Sequence, residues 1–156
     1  MPDAFLIRND SVGIELTLQS IIGMVFVIGA GLLRLQCYRT LGRFFTFEVS
    51  IRKGHRLVTS GPYSIVRHPS YTGFLLMNIG MVLWFTSGGA WLRESGILAT
   101  LSGSTVVFGT MAGLSGVSAS LCRRIPAEDE VLKDEFKEEW GNWVRRVPYA
   151  LIPWVY

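Results

Sequence analysis

The chain has 156 residues, 49% of them apolar and only 17% charged, with a mean hydropathy of +0.35. Soluble domains carry about 25% charged residues, and a chain this short is one domain at most; the composition therefore excludes an ordinary soluble enzyme and a multidomain protein. The net charge of +3 and pI near 9.1 accompany no aromatic-basic platform and no zinc-ligand spacing. Topology and anionic lipid account for that basic excess without nucleic acid.

In chain order, Met1 to Glu15 carries acids as well as Arg8, and no small-residue cleavage pattern closes the apolar run that follows. A retained anchor is expected there rather than a cleaved signal peptide. The first apolar segment runs from about Leu16 to Leu33, with Thr17, Gln19 and Ser20 weakening its start, and predicts a membrane span over 16–35. A polar loop over 36–70 follows. No charge occurs from Ser70 to Leu92, nor from Ser95 to Cys122. Each stretch exceeds the roughly 20 residues a spanning helix needs, predicting spans over 71–92 and 96–122. Between them Gly88 and Gly89 read as a turn, and Trp84 and Trp91 sit where an interfacial aromatic belt belongs. In the third span Gly109, Gly113, Gly116 and Ser120 repeat small residues at helical spacing, which lets membrane helices approach backbone to backbone. That predicts packing against another helix of this chain, with a homodimer as the less favoured alternative.

Basic residues set the orientation. Arg34, Arg39, Arg43, Arg52, Lys53, Arg56 and Arg67 flank or fill the first loop against Glu48, and Arg123, Arg124, Lys133, Lys137, Arg145 and Arg146 follow the third span. The intervening hairpin offers Arg93 and Glu94. Three spans put the first loop and the C-terminal segment on one side, and the excess of Lys and Arg places that side in the cytosol. Beyond the spans, Pro126 suits the start of a new helix, with Glu128, Asp129 and Glu130 at its positive end and Arg145 and Arg146 at its negative end. Leu132, Phe136, Trp140, Trp143 and Val144 form one apolar stripe. A cytosolic amphipathic helix is expected over 127–147, lying on the membrane or folded over the bundle. The closing VPYALIPWVY is too short to span and reads as an extended or re-entrant tail packed on protein. Cys37 and Cys122 suggest no disulfide framework. The expected architecture is thus one all-α integral membrane domain over 1–156, with about three transmembrane helices.

The segment Gly54 to Gly73, GHRLVTSGPYSIVRHPSYTG, holds both histidines of the chain, His55 and His68, directly before an apolar helix. Polar loop chemistry pressed against a membrane helix is costly unless it faces water or a ligand. Each residue also has a plain structural reading: Arg67 and Arg124 as snorkelling anchors, His68 as a helix cap, Tyr63 and Tyr71 as belt residues. None of these explains why the polar residues gather in two blocks that topology brings together.

Two blocks resemble one family. GHRLVTSGPYSIVRHPSYTG is similar to the cofactor-binding region of isoprenylcysteine carboxyl methyltransferases. The block from Arg124 through Pro153, with Glu128-Asp129-Glu130, Glu139-Trp140 and Arg146-Val147-Pro148, is similar to that family's C-terminal signature. The resemblance implies an S-adenosylmethionine-dependent enzyme of the endoplasmic reticulum membrane, multi-pass, with its active site facing the cytosol. It implies methylation of the C-terminal carboxylate of a prenylated cysteine on processed proteins. By motif, His55, Arg56, Leu57, Val58, Tyr63, His68, Pro69, Ser70, Tyr71 and Glu128 would line the cofactor pocket, and Arg124 would hold the substrate carboxylate. Glu48 ranks below these because animal relatives carry glutamine there. Relatives in eukaryotes usually carry further spans before this region.

The chemistry is consistent on its own terms. A peptide carboxylate, with a pKa near about 3.5, is already ionised, so alignment and exclusion of water matter more than a general base. Guanidinium grips a carboxylate in a fixed fork. Two rivals remain open: a sterol reductase using NADPH, whose ending is similar to VPYALIPWVY, and a phospholipid N-methyltransferase. The RHPSY block and the Glu128-Asp129 pair favour the carboxyl methyltransferase. No G-x-G-x-x-G or alternating strand-helix pattern points to a Rossmann fold.

Overall fold

The computed structural model describes residues 15–44 and 56–155, and among these every regular element is helical. Helix α1 covers Leu18–Leu41 and ends in a 3-10 turn at Gly42–Phe44. It runs past the expected boundary near 35 because its last turn carries Arg39, a charge that favours a helix C-terminus. A second 3-10 turn at Gly61–Ser64 precedes α2, Pro69–Thr86. Gly88 and Gly89 make the expected turn, leading to a single-turn α3, Trp91–Glu94, a 3-10 turn at Ile97–Ala99, and α4, Leu101–Arg146.

Among the described residues, two helical segments are long and apolar enough to cross a membrane: α1 with its terminal turn, and α4. Helix α2 is not one of them; Ser70, Tyr71, Thr72 and Asn78 dilute its 18 residues. Large apolar side chains on α1 and α4 lie open, Leu18 at 74% and Phe108 at 65% exposure. Such surface suits lipid rather than water. With 46 residues, α4 has more than the roughly 20 that a hydrocarbon core of about 30 Å requires. Its charge-free part, ending at Cys122, is long enough by itself to match that thickness.

The boundary expected at Pro126 is not where the helix divides. Pro126 sits inside α4, and the backbone leaves helical geometry at Lys137 instead (φ 41°, ψ −105°). Proline removes one ladder bond, that to the Cys122 carbonyl, while the adjacent Ile125 is held in a buried site.

The chain divides into two compact units. One contains the described residues 15–29 with 75–117, the other the described residues 30–44, 56–74 and 118–155. In the first, α1 and α2 meet backbone to backbone: a Cβ on Gly23 would fall 2.7 Å from the Trp84 nitrogen, and one on Gly80 would fall 2.8 Å from the Gly23 carbonyl oxygen. Gln19, which weakened the apolar reading of α1, donates to the Leu83 carbonyl at 3.1 Å and the Thr86 hydroxyl at 3.0 Å. The small residues of α4 do not play the expected packing role. A Cβ on Gly109, Gly113 or Gly116 would meet nothing within 4 Å.

The second unit has the better core. Cys37, Tyr63, Trp140, Trp143 and Val147 are buried together, with Leu57, Val58, Leu132, Phe136 and Val144 packed around them. The apolar stripe of the C-terminal segment is therefore folded onto protein. Trp140 and Trp143 pack edge to face at 5.1 Å, and the Trp143 indole N–H donates to the Tyr63 carbonyl at 3.1 Å. Gly73 lets α2 press on α1, since a Cβ there would lie 2.8 Å from Arg34 Cγ.

Candidate functional site

The site is built in the second unit, where the start of α2 meets the polar part of α4 and the C-terminal tail. Pro69 opens α2 at a position that needs no N–H. The His68 carbonyl accepts the first helical bonds, from Tyr71 N–H at 3.0 Å and Thr72 N–H at 3.2 Å. The tail then clamps this corner. Arg67 N–H donates to the Tyr149 carbonyl at 3.0 Å, His68 N–H to the Ala150 carbonyl at 2.8 Å, and the Thr72 hydroxyl to the Leu151 carbonyl at 2.6 Å. The tail's expected packing on protein is thus seen, and backbone bonds make it specific.

Side chains from the two sequence blocks converge here. The Tyr71 hydroxyl donates to Glu128 Oε1 at 2.6 Å, and Arg124 Nε lies 2.8 Å from the same oxygen. Arg124 and Glu128 stand four residues apart on α4, the spacing that puts two side chains on one helix face. His68 is only 8% exposed and sits between two carboxylates, its Nε2 2.8 Å from Asp129 Oδ1 and its Nδ1 3.4 Å from Glu128 Oε2. Its ring stacks on Tyr71, with centroids 5.6 Å apart. Arg67 Nη2 pairs with Asp129 Oδ2 at 3.1 Å, while Nη1 donates to the carbonyls of Val147 and Pro148.

These contacts decide the charge states. Burial alone would lower the His68 pKa, but hydrogen bonds to Asp129 and Glu128 and their negative charge outweigh it and hold the imidazole above its usual range. Burial would raise both carboxyls. For Glu128 the bonds from His68 and Tyr71 reverse that, and for Asp129 the bond and charge of His68 and the Arg67 guanidinium do so, leaving both below the usual carboxylate range. The cluster is a compensated network in which each carboxylate stays ionised.

Of the sequence-derived candidates, His68, Tyr71, Arg124 and Glu128 come together in direct contact. Pro69 is buried at the helix start, Ser70 is half-buried beside it, and Arg56 is exposed. Leu57, Val58 and Tyr63 belong to the apolar core rather than to the charged cluster. His55 and Glu48 lie outside the described residues. Two members were not among the candidate site residues read from sequence: Asp129, beside Glu128 in the acidic run, and Arg67, beside His68. Adjacency to those two residues was the available signal, and it does not say which way a side chain points.

Membrane-length helices, with only helical elements among the described residues, and a buried charge network in the second unit define a helical membrane protein with a polar site. The chain matches the model of the isoprenylcysteine carboxyl methyltransferase (ICMT) family over residues 21–101, more than half its length, and it belongs to that family. It is 31% identical over 135 residues to protein-S-isoprenylcysteine O-methyltransferase B of Arabidopsis thaliana, covering 85% of this chain and 58% of that protein. It is 28% identical over 134 residues to a probable protein-S-isoprenylcysteine O-methyltransferase of Oryza sativa subsp. indica, covering 85% and 60%. It also matches a mouse delta(14)-sterol reductase, 29% identical over 103 residues, covering 66% of this chain and 20% of that protein. The chain therefore spans about three fifths of the length of the plant relatives. No solved structure matches it significantly.

Proposed function

We propose that this protein methylates the C-terminal prenylcysteine carboxylate of processed prenylated proteins, using S-adenosylmethionine. The observation that carries the reading is the contact of His68 and Tyr71 from one block with Arg124 and Glu128 from the other, in a chain of this family. The donor set fits the cofactor: ionised carboxylate for an ammonium or ribose hydroxyls, and aromatic and apolar side chains for a purine. S-adenosylmethionine, when bound, supplies a sulfonium methyl that an ionised carboxylate accepts by in-line displacement.

The residues of the chain divide the remaining work. Glu128 offers a charge kept anionic by its neighbours. Its bond to Arg124 Nε fixes the guanidinium plane, and a fixed plane is what a fork needs to hold a substrate carboxylate. His68 and Tyr71 hold Glu128. Leu57, Val58 and Tyr63 form the apolar wall behind the loop, with His55, Arg56, Pro69, Ser70 and Glu48 assigned to the cofactor side by motif. No general base is required, because the acceptor is ionised at neutral pH.

The accompanying topology is three spans with both polar blocks in the cytosol, in the endoplasmic reticulum membrane. A single catalytic domain over 1–156 goes with it, and α2 would supply the middle span even though its own 18 residues do not reach the combined length and apolarity of α1 and α4. The test is transfer of labelled methyl from S-adenosylmethionine to acetyl-farnesylcysteine by membranes containing the protein. Phospholipid, and NADPH with a sterol, serve as parallel acceptors and reactants. Label in phospholipid alone, or NADPH consumption with the sterol, would overturn the proposal.

A further inference from the structure

Glu128 and Arg124 carry the proposed chemistry, yet a second layer of contacts decides where they point. Both ring nitrogens of His68 face carboxylates, which accept but do not donate when ionised; the shorter contact, Nε2 to Asp129 Oδ1 at 2.8 Å, is where a neutral ring best places its hydrogen. The opposite ring nitrogen then faces Glu128 Oε2. With a neutral ring this would set acceptor against acceptor; with a protonated ring both carboxylates receive a donor. Asp129 is itself held by one nitrogen of Arg67, whose other terminal nitrogen reaches the tail carbonyls of Val147 and Pro148. Only a guanidinium fork spans both.

We infer that Asp129 and Arg67 are positioning residues: Asp129 orients the His68 ring so that it donates to Glu128, and Arg67 ties Asp129 to the C-terminal tail. The groups facing the ring are Glu128, Asp129 and Tyr71, with Arg67 and Arg124 paired behind the carboxylates. Every link from tail carbonyl to Glu128 is thus a directed hydrogen bond or an ion pair. The consequence for catalysis rests on the proposed methyl transfer; the ring orientation does not.

The experiment uses the full chain in phospholipid nanodiscs with nitrogen-15-labelled histidine. The His68 signal is assigned by its loss in His68→Gln. In Asp129→Asn the His68 ring should titrate at lower pH than in the parent protein, and kcat/KM for methyl transfer should fall about tenfold or more. Asp129→Glu, which keeps the carboxylate, should recover most of both. Arg67→Lys should lower kcat/KM while the His68 ring stays paired with Asp129. A His68 signal unchanged in Asp129→Asn, or an Asp129→Glu protein as impaired as Asp129→Asn, overturns the inference. A parent protein that shows the expected ring shift but methylates no prenylcysteine overturns the proposed activity and leaves the orienting role standing.

Discussion

Replacing Glu128 by glutamine keeps the shape of the side chain and removes its charge, so its effect can be worked from the contacts. Oε1 accepts from the Tyr71 hydroxyl at 2.6 Å and from Arg124 Nε at 2.8 Å. Hydrogen bonds to a charged group contribute about 1.5–3 kcal/mol against about 0.5–1.5 for neutral ones, a difference of roughly 1–1.5 kcal/mol per bond. Arg124 is 34% exposed, and solvent screening reduces its share. About 2 kcal/mol remains for the pair, or roughly thirtyfold in kcat/KM at about 1.36 kcal/mol per decade. Initial rates of methyl transfer to acetyl-farnesylcysteine, with both substrates varied, measure it. Tyr71→Phe removes one of the two bonds outright and should cost about 1.5–3 kcal/mol, roughly tenfold or more. Glu130→Gln, on an exposed residue of the same helix, is the control and should leave the rate unchanged. A Glu128→Gln protein within twofold of the parent would refute the role of this carboxylate in holding Arg124.

Three further outcomes follow from the geometry. With its pKa raised above the ordinary 6.5, His68 stabilises the fold fully below that pH, and the contribution is lost as pH rises through the folded-state value. With theirs lowered, Glu128 and Asp129 contribute above about their ordinary 4.5 and 3.8 and lose that contribution as acid takes the pH through their folded values. Melting temperature in detergent should therefore peak between pH 4.5 and 6.5 and decline on the alkaline side, and His68→Gln should flatten that decline; an unaltered profile would refute it. Trp143→Phe leaves the Tyr63 carbonyl without its 3.1 Å donor inside the core and should cost about 1–3 kcal/mol, read as a lower melting temperature. Gly80→Ala forces a Cβ to within 2.8 Å of the Gly23 carbonyl oxygen and should destabilise by about 1–3 kcal/mol. Gly109→Ala meets open space and should be neutral or slightly stabilising; equal melting shifts for the two would contradict the close approach of α1 and α2.

Periodicity and charge reveal those features that depend on one element at a time. Charge-free runs mark the helices of a membrane protein, because hydrocarbon accepts little else, and the stripe Leu132, Phe136, Trp140, Trp143 and Val144 marks a buried face before its partner is known. The RHPSY block and the Glu128-Asp129 pair point to the family for the same local reason: each motif is contiguous. Pairings across the chain are another matter. Small residues at helical spacing look alike on α2 and α4, yet Gly80 makes the close approach while Gly109 and Gly113 face open space; which face meets a neighbour depends on where the neighbour lies. Proline at 126 looks like a boundary, but the break falls at Lys137. Above all, sequence presents Arg124 and Glu128 as separate ligand contacts, whereas the folded chain makes them partners. It also brings in Asp129, Arg67 and the tail carbonyls as their support. Sequence determined which chemical groups are present. Tertiary structure alone decided how they pair, because ion pairs and hydrogen bonds depend on distances of a few ångströms between residues sixty or more positions apart.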